Sequence, residues 1–254
     1  MKTSGNTILL TGGGSGIGRA LAQRWHDAGN KVVVAGRNTD TLEETAAGRA
    51  GIHVERLDVD DVAGLKNNVA AILERHPEIN VLVNNAGIMR FEKLDGARGL
   101  ADAEATIATN LLGPIRLTDA LIDHLLGKED AAIVNVTSGL AFVPLVTTPT
   151  YSATKAGIHS YTVALREALR GRVEVIELAP PGVQTDLTPG QSTRPGYQPL
   201  DDFADEVMAL FAQQPTPEEI LVKNVQGFRH AERDGKVAEL VTMLAERSRA
   251  NGAD

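Results

Sequence analysis

Short, nearly unbroken apolar runs alternate with longer stretches in which apolar residues recur every three or four positions. The runs fall at 7–10, 31–35, 53–57, 81–84, 131–136 and 173–178. They lack the in–out alternation of a half-exposed strand, which is what parallel strands buried on both faces require. The stretches with helical spacing are 17–29, 39–48, 61–76, 101–126 and 151–170, with another at 236–249. Strand–helix alternation of this kind predicts a doubly wound, parallel α/β sheet with helices on both faces. No repeat, low-complexity tract or linker divides the chain, so residues 1–254 read as a single domain.

The stretch 180–200 breaks the pattern. It holds five prolines (180, 181, 189, 195, 199) and Gly182, Gly190 and Gly196. After a strand, such a segment reads as a mobile loop or a plain surface loop. Ligands of open α/β sheets bind beyond the strands' carboxyl ends, so a substrate lid is expected over 186–215.

Composition narrows the function more than the fold. Of 254 residues 43% are hydrophobic and 23% charged, ordinary for a globular protein with a sizeable core. The formal charge of −8 gives no general attraction to nucleic acid or anionic membrane. Cysteine is absent, which excludes disulfides, thiolate metal sites and a cysteine nucleophile; six scattered histidines have no metal-ligand spacing, so no metal is expected. The apolar run Ile8-Leu9-Leu10 is too short for a signal segment, and no stretch approaches membrane-spanning length. A soluble cytoplasmic protein is the default.

Two motifs carry chemistry. Thr11-Gly12-Gly13-Gly14-Ser15-Gly16-Ile17-Gly18 joins the first strand to a helix. Glycine there permits a tight turn, lets the backbone approach a pyrophosphate, and leaves the helix N-terminus to face the anion. The Lys-Ser/Thr of a nucleoside-triphosphate loop does not follow. About 20 residues on, an acid would bind the ribose 2′-hydroxyl of NAD. This chain has Gly36-Arg37-Asn38 instead. Arg37 is suited to a 2′-phosphate, so NADP(H) is expected over NAD(H); a solvated surface arginine is the alternative.

The second motif is Tyr151-x-x-x-Lys155, thirteen residues after Ser138. Positions i and i+4 share a helix face. An ammonium there is expected to lower the phenol's pKa and fit it for proton transfer to a substrate oxygen.

Together these residues resemble the short-chain dehydrogenase/reductase family, in its single-domain, Rossmann-type branch, over about residues 5–187. The Thr11–Gly18 turn is similar to the family's cofactor turn and Asp58-Val59 to its adenine-binding pair. Asn84-Asn85-Ala86-Gly87 is similar to its post-strand motif, and Asn110, Ser138, Tyr151 and Lys155 to its catalytic tetrad. Pro181-Gly182-Val183-x-Thr185 looks like the segment that holds the nicotinamide carboxamide.

The resemblance implies reversible hydride transfer between nicotinamide C4 and a carbonyl or alcohol carbon. Tyr151 would be general acid/base, Ser138 would hold the substrate oxygen, Lys155 would bind the nicotinamide ribose, and Asn110 would hold a relay water. A substrate pocket is expected from Met89, Phe91, Gly139, Leu140, Ala141, Phe142 and the lid from Leu187 to Tyr197, for an apolar or modestly polar compound. Arg194 there either meets an acidic group or is solvated. A sugar-nucleotide epimerase is disfavoured by the glycine spacing, and a non-catalytic NADP sensor or scaffold by the complete tetrad.

The C-terminal part is similar instead to the DltE-like subgroup of bacterial oxidoreductases. It lacks the glycine pair that accompanies a seventh strand and a tetramer contact, so both stay open. A homodimer through the helices at 101–126 and 151–170 is expected, with a homotetramer as the larger option.

Overall fold

Ile8 and Leu10 point to one side of the central strand and Leu9 to the other, and all three are fully buried. That two-sided burial recurs at Val32/Val33/Val34 and at Val81/Leu82/Val83, and it dictates the architecture. In the computed structural model, which describes residues 1–250, a seven-stranded parallel sheet lies between two helical layers. The strands are β1 (Thr7–Thr11), β2 (Lys31–Gly36), β3 (Ile52–Arg56), β4 (Val81–Asn84), β5 (Ala132–Val136), β6 (Glu174–Leu178) and β7 (Glu219–Ile220). Their spatial order is β3-β2-β1-β4-β5-β6-β7. The direction of winding reverses between β1 and β4, which opens a crevice at their carboxyl ends.

One face is covered by α1 (Gly16–Asp27), where Leu21 and Trp25 are buried against the strands. The other face is covered by α3 (Leu65–Arg75) and α5 (Gly113–Leu126), through Val69, Ile72, Leu117, Leu121 and Leu125. Between them in the chain come α2 (Thr39–Ala46) and α4 (Ala101–Ile107). The long helix α6 (Pro149–Ala168) follows β5. The C-terminal part adds α7 (Leu200–Phe211), α8 (Lys223–Arg229) and α9 (Val237–Ala250). Among the described residues no helix is long and apolar enough to cross a membrane.

Three details refine the sequence reading. The stretch 101–126 is interrupted between α4 and α5 by a π-helical turn over Ala108–Leu112. A widened turn of this kind adds a residue to one helical repeat without breaking the rod, so hydrophobic spacing does not reveal it. The stretch 186–215 is loop only as far as Pro199. Beyond it, α7 buries Phe203, Ala204, Val207 and Phe211, and Phe211 meets Trp25 edge-on at 5.5 Å. A seventh strand does form, two residues long, pairing Glu219 and Ile220 with Glu177 and Leu178.

Candidate active site

The carboxyl ends of β1, β4, β5 and β6 open into one cavity of about 350 Å³. Its floor is the turn after β1. Gly12 has φ +68, and a Cβ there would lie 2.9 Å from both Ala86 Cα and Asn85 Nδ2. A Cβ at Gly18 would lie 2.2 Å from the Gly12 carbonyl oxygen. Only glycine lets α1 start this close to the end of β4. Asn85 fastens the junction: its Nδ2 donates to the carbonyls of Thr11 (2.9 Å) and Gly12 (3.2 Å). In return, Thr11 Oγ1 accepts the N–H groups of Asn85 and Ala86, each at 3.1 Å.

Ser15 precedes α1 without a side-chain capping bond, and Ser15, Gly16, Ile17 and Gly18 line the cavity. The first N–H groups of a 12-residue helix are thus left for an anion. This cradle fits the pyrophosphate of a dinucleotide. Gly14 lies outside the lining; its carbonyl accepts from Arg19 Nη2 at 2.6 Å.

The opposite end is buried and polar. The π-helical turn carries Asn110, whose side chain grips Ile88 on both sides, accepting its N–H (2.8 Å) and donating to its carbonyl (2.7 Å). Gly87 lies between Asn110 and Lys155: a Cβ on it would be 3.3 Å from Asn110 Oδ1 and 3.8 Å from Lys155 Nζ. Asn84 sits within the sheet, donating to Asn135 Oδ1 at 2.8 Å. Ser138 follows β5, and its Oγ accepts the Leu140 N–H (3.1 Å). Tyr151 and Lys155, one turn apart on the buried side of α6, complete the group.

Burial dominates the electrostatics here. It pushes the Tyr151 phenol up to about 12, against the downward pull of a hydrogen bond with Ser138. It pushes Lys155 down to about 8. The expected lowering of the phenol by Lys155 is therefore not what this pocket does. The ammonium donates to the Val136 carbonyl (2.8 Å) and lies 5.6 Å from the phenol's ring centre, and loss of water is the largest influence on the phenol. At neutral pH the phenol keeps its proton and the amine is mostly charged.

The third wall follows β6. Pro180, Pro181, Val183, Thr185 and Leu187 line the cavity, and Gly182 lies under the Tyr197 ring, where a Cβ would come within 3.1 Å. This loop is stapled. Val183 bridges Gln198, and buried Gln191 donates to the Val183 carbonyl (2.9 Å) and Thr185 Oγ1 (3.0 Å).

Other expected residues lie apart from the cavity. Arg37 is 62% exposed, and the Asp60 carboxylate stands 3.9 Å from its guanidinium. Asn38 caps α2 by accepting the Asp40 N–H (3.1 Å), and Asp58 accepts the Asp60 N–H (3.0 Å). Val59 packs against Gly113. Met89, Leu140 and Phe142 do not line the cavity. Phe142 instead stacks edge-on against His159 (5.0 Å) beneath the Arg229 guanidinium (5.1 Å).

Ile88, Arg90 and Thr137 do line it and were not singled out from sequence, whereas Asp186 and Gln191, also in the lining, fall within the expected lid. Ile88 and Arg90 were within reach, since they directly continue the Asn85-Ala86-Gly87 motif. Gln191 lies within the lid expected from Leu187 to Tyr197, although nothing marked it individually.

Behind the site, His159 Nδ1 pairs with Glu177 (2.8 Å), Glu177 accepts from Thr137 Oγ1 (2.7 Å), and Glu219 is held by Arg229 (2.7 and 2.8 Å). The hydrogen bond to Glu177 raises the His159 pKa. These groups satisfy one another.

Comparison with known proteins agrees with this geometry. Residues 6–195 match the family model described as short chain dehydrogenase. The chain is 39% identical over 239 residues to the uncharacterized oxidoreductase DltE of Bacillus subtilis, covering 92% of this chain and 94% of that one. Among solved structures it resembles a 3-ketoacyl-(acyl-carrier-protein) reductase from Brucella melitensis complexed with NADH. The TM-score is 0.75 and the identity 26%, over 85% of this chain and 93% of that one. A short chain dehydrogenase from Burkholderia cenocepacia in complex with NADP shares the fold, at a TM-score of 0.80, 24% identity and coverage of 95% and 99%.

Proposed function

The chain belongs to the short chain dehydrogenase family of oxidoreductases, and from that premise we propose that it is an NADP(H)-dependent reductase of carbonyl compounds, reversible towards the alcohol. The observation that carries the reading is the meeting of Ser138, Tyr151 and Lys155 with the opening of α1 in one cavity.

Bound NADPH would supply the hydride; the residues supply position and a proton. Gly12 and the first turn of α1 would hold the pyrophosphate, and Pro181, Val183 and Thr185 would flank the nicotinamide. Reduction of a carbonyl carbon puts charge on its oxygen. Tyr151 Oη gives that oxygen its proton, and the Ser138 hydroxyl holds it in place. The protonated phenol favoured by burial is the form this direction needs. Lys155, charged at neutral pH, would hold the nicotinamide ribose and steady the phenolate left behind. Asn110, behind the cavity lining, fixes the Ile88 backbone and would hold a water that resupplies the proton.

Preference for NADP(H) rests on Arg37, since the structural relatives named above were solved with either NADH or NADP. Exposed at the end of β2, Arg37 is free to turn from Asp60 to a 2′-phosphate. Asp58 and Val59 would flank the adenine. A second copy of the chain would cover the apolar side chains left exposed on α4, the π turn and α6, namely Ile107, Leu112 and Val163. We place the enzyme in the cytoplasm.

The test is NADPH consumption against a panel of ketones and aldehydes. Turnover with at least one class, faster with NADPH than with NADH, is the expected result. Tight NADPH binding without turnover across the panel would make the protein a sensor instead.

A further inference from the structure

The helix that carries Tyr151 does not cap itself. Thr148, its N-cap residue, makes no side-chain capping bond, and Thr148 Oγ1 is buried without a partner among the described residues. Pro149 at the first position has no N–H to offer. The helix end is closed from 58 residues away, by Glu92. One oxygen of Glu92 accepts the Thr150 N–H (3.0 Å) and the other accepts the Thr150 hydroxyl (2.8 Å). Arg98 Nη2 donates to the same carboxylate at 2.7 Å, and the Glu92 N–H donates to the Thr147 carbonyl (2.9 Å). The Glu92 side chain is only 4% exposed. A buried acid at a helix N-terminus is stabilised by the helix dipole and by charge-assisted hydrogen bonds, and screened little by salt.

The position matters because Tyr151 follows Thr150 directly. It lies in the first turn, where the backbone N–H groups have no intrahelical acceptor. The segment that supplies Glu92 is itself tied to the site. Asn110 grips Ile88 at one end, Glu92 clasps α6 at the other, and Arg90 between them lines the cavity.

We propose that Glu92 is a positioning residue for Tyr151: a cap supplied from the substrate-side loop that fixes where the phenol stands relative to the reacting oxygen. Misplacement of a catalytic group by about 1 Å can cost about 10²-fold in rate. The role rests on the reductase reading above, and two measurements separate the two ideas.

The first is hydrogen exchange in wild type, Glu92→Ala and Glu92→Gln. Glu92→Ala should speed exchange in peptides covering 149–156 and leave the C-terminal half of α6 unchanged, whether or not a substrate is known. The second is steady-state kinetics with a carbonyl compound the wild type reduces. Glu92→Ala should lower kcat about 10- to 100-fold while the Kd for NADPH stays within twofold. Glu92→Gln, whose amide oxygen still accepts the Thr150 N–H, should recover most of that loss. Unchanged exchange at 149–156, or kcat within twofold of wild type in Glu92→Ala, would overturn the proposal. So would a loss of kcat matched by equal loss of NADPH binding, which marks a general folding defect. Absence of wild-type turnover on any carbonyl compound would instead refute the reductase reading.

Discussion

The two ends of the cleft are built on opposite principles. At the Tyr151 end the polar groups are buried and pinned: Asn110 to Ile88, Lys155 to the Val136 carbonyl, and Glu92 to the start of α6. Burial shifts both titrating groups by amounts that matter to proton transfer. At the Arg37 end the key side chain is mostly in water, faces a carboxylate at 3.9 Å, and rests in no fixed hydrogen bond among the described residues. Proton transfer needs a desolvated, preorganised acid, whereas choosing between two ribose substituents needs only a charge that can turn to meet a phosphate. One end should therefore govern rate and the other cofactor choice.

That division can be broken by experiment, the largest effect first. Tyr151→Phe keeps the ring and loses the acid. It should lower kcat about 10³-fold, with NADPH affinity within twofold by fluorescence titration. A variant with near-normal kcat would remove the catalytic end from the account.

Arg37→Ala should do the reverse. The KM for NADPH should rise about 10- to 100-fold, the worth of one or two charge-assisted hydrogen bonds, with NADH kinetics and kcat nearly unchanged. An unchanged ratio of NADPH to NADH efficiency would show that Arg37 is only a surface charge. Asp60→Asn sharpens the point, since removing the competing carboxylate should lower that KM a fewfold.

The pH response is the smallest effect near neutrality. Lys155 is charged below its pKa of about 8 and loses its proton above it, while Tyr151, at about 12, stays protonated throughout. The kcat for reduction should thus be level from pH 6 to 7, halve near about 8, and fall towards tenfold per pH unit beyond. A reduction rate that climbs steadily from pH 7 to 10 would show that the charged Lys155 is not required.

The same contrast explains what could be read from the residues alone. Buried strands announce themselves, because runs such as Val32-Val33-Val34 can only be covered on both faces, and the order of strands and helices then fixes the sheet. The glycine turn and the Tyr151–Lys155 pair were legible because tight backbone approach and shared helix faces impose fixed spacings. Three things had no such spacing. The π turn at Asn110 hides inside an unbroken helical pattern. The pKa of Tyr151 depends on how much water the finished fold removes, and a neighbouring lysine in sequence does not report that. The Glu92 cap joins residues 58 apart through the fold, and a lone polar residue in a loop carries no mark of its distant partner; the Gln191 staple is local, but no regular spacing marks it. Helix α7 was missed for a different reason: Phe203, Val207 and Phe211 do form a helical stripe, but it follows a proline-rich loop whose character was extended too far.

The central claim is that the phenol of Tyr151 and the ammonium of Lys155 stand at the nicotinamide of a dinucleotide held by Gly12 and the first turn of α1. A crystal structure of the protein with NADP⁺ bound tests it most directly. It should show the pyrophosphate on the N-terminus of α1, the Lys155 ammonium on the nicotinamide ribose, and space for a carbonyl about 3–3.5 Å from nicotinamide C4 within reach of Tyr151 Oη. A nicotinamide ring turned out of the cavity, or lying beyond hydrogen-bonding range of that shared space, would contradict it.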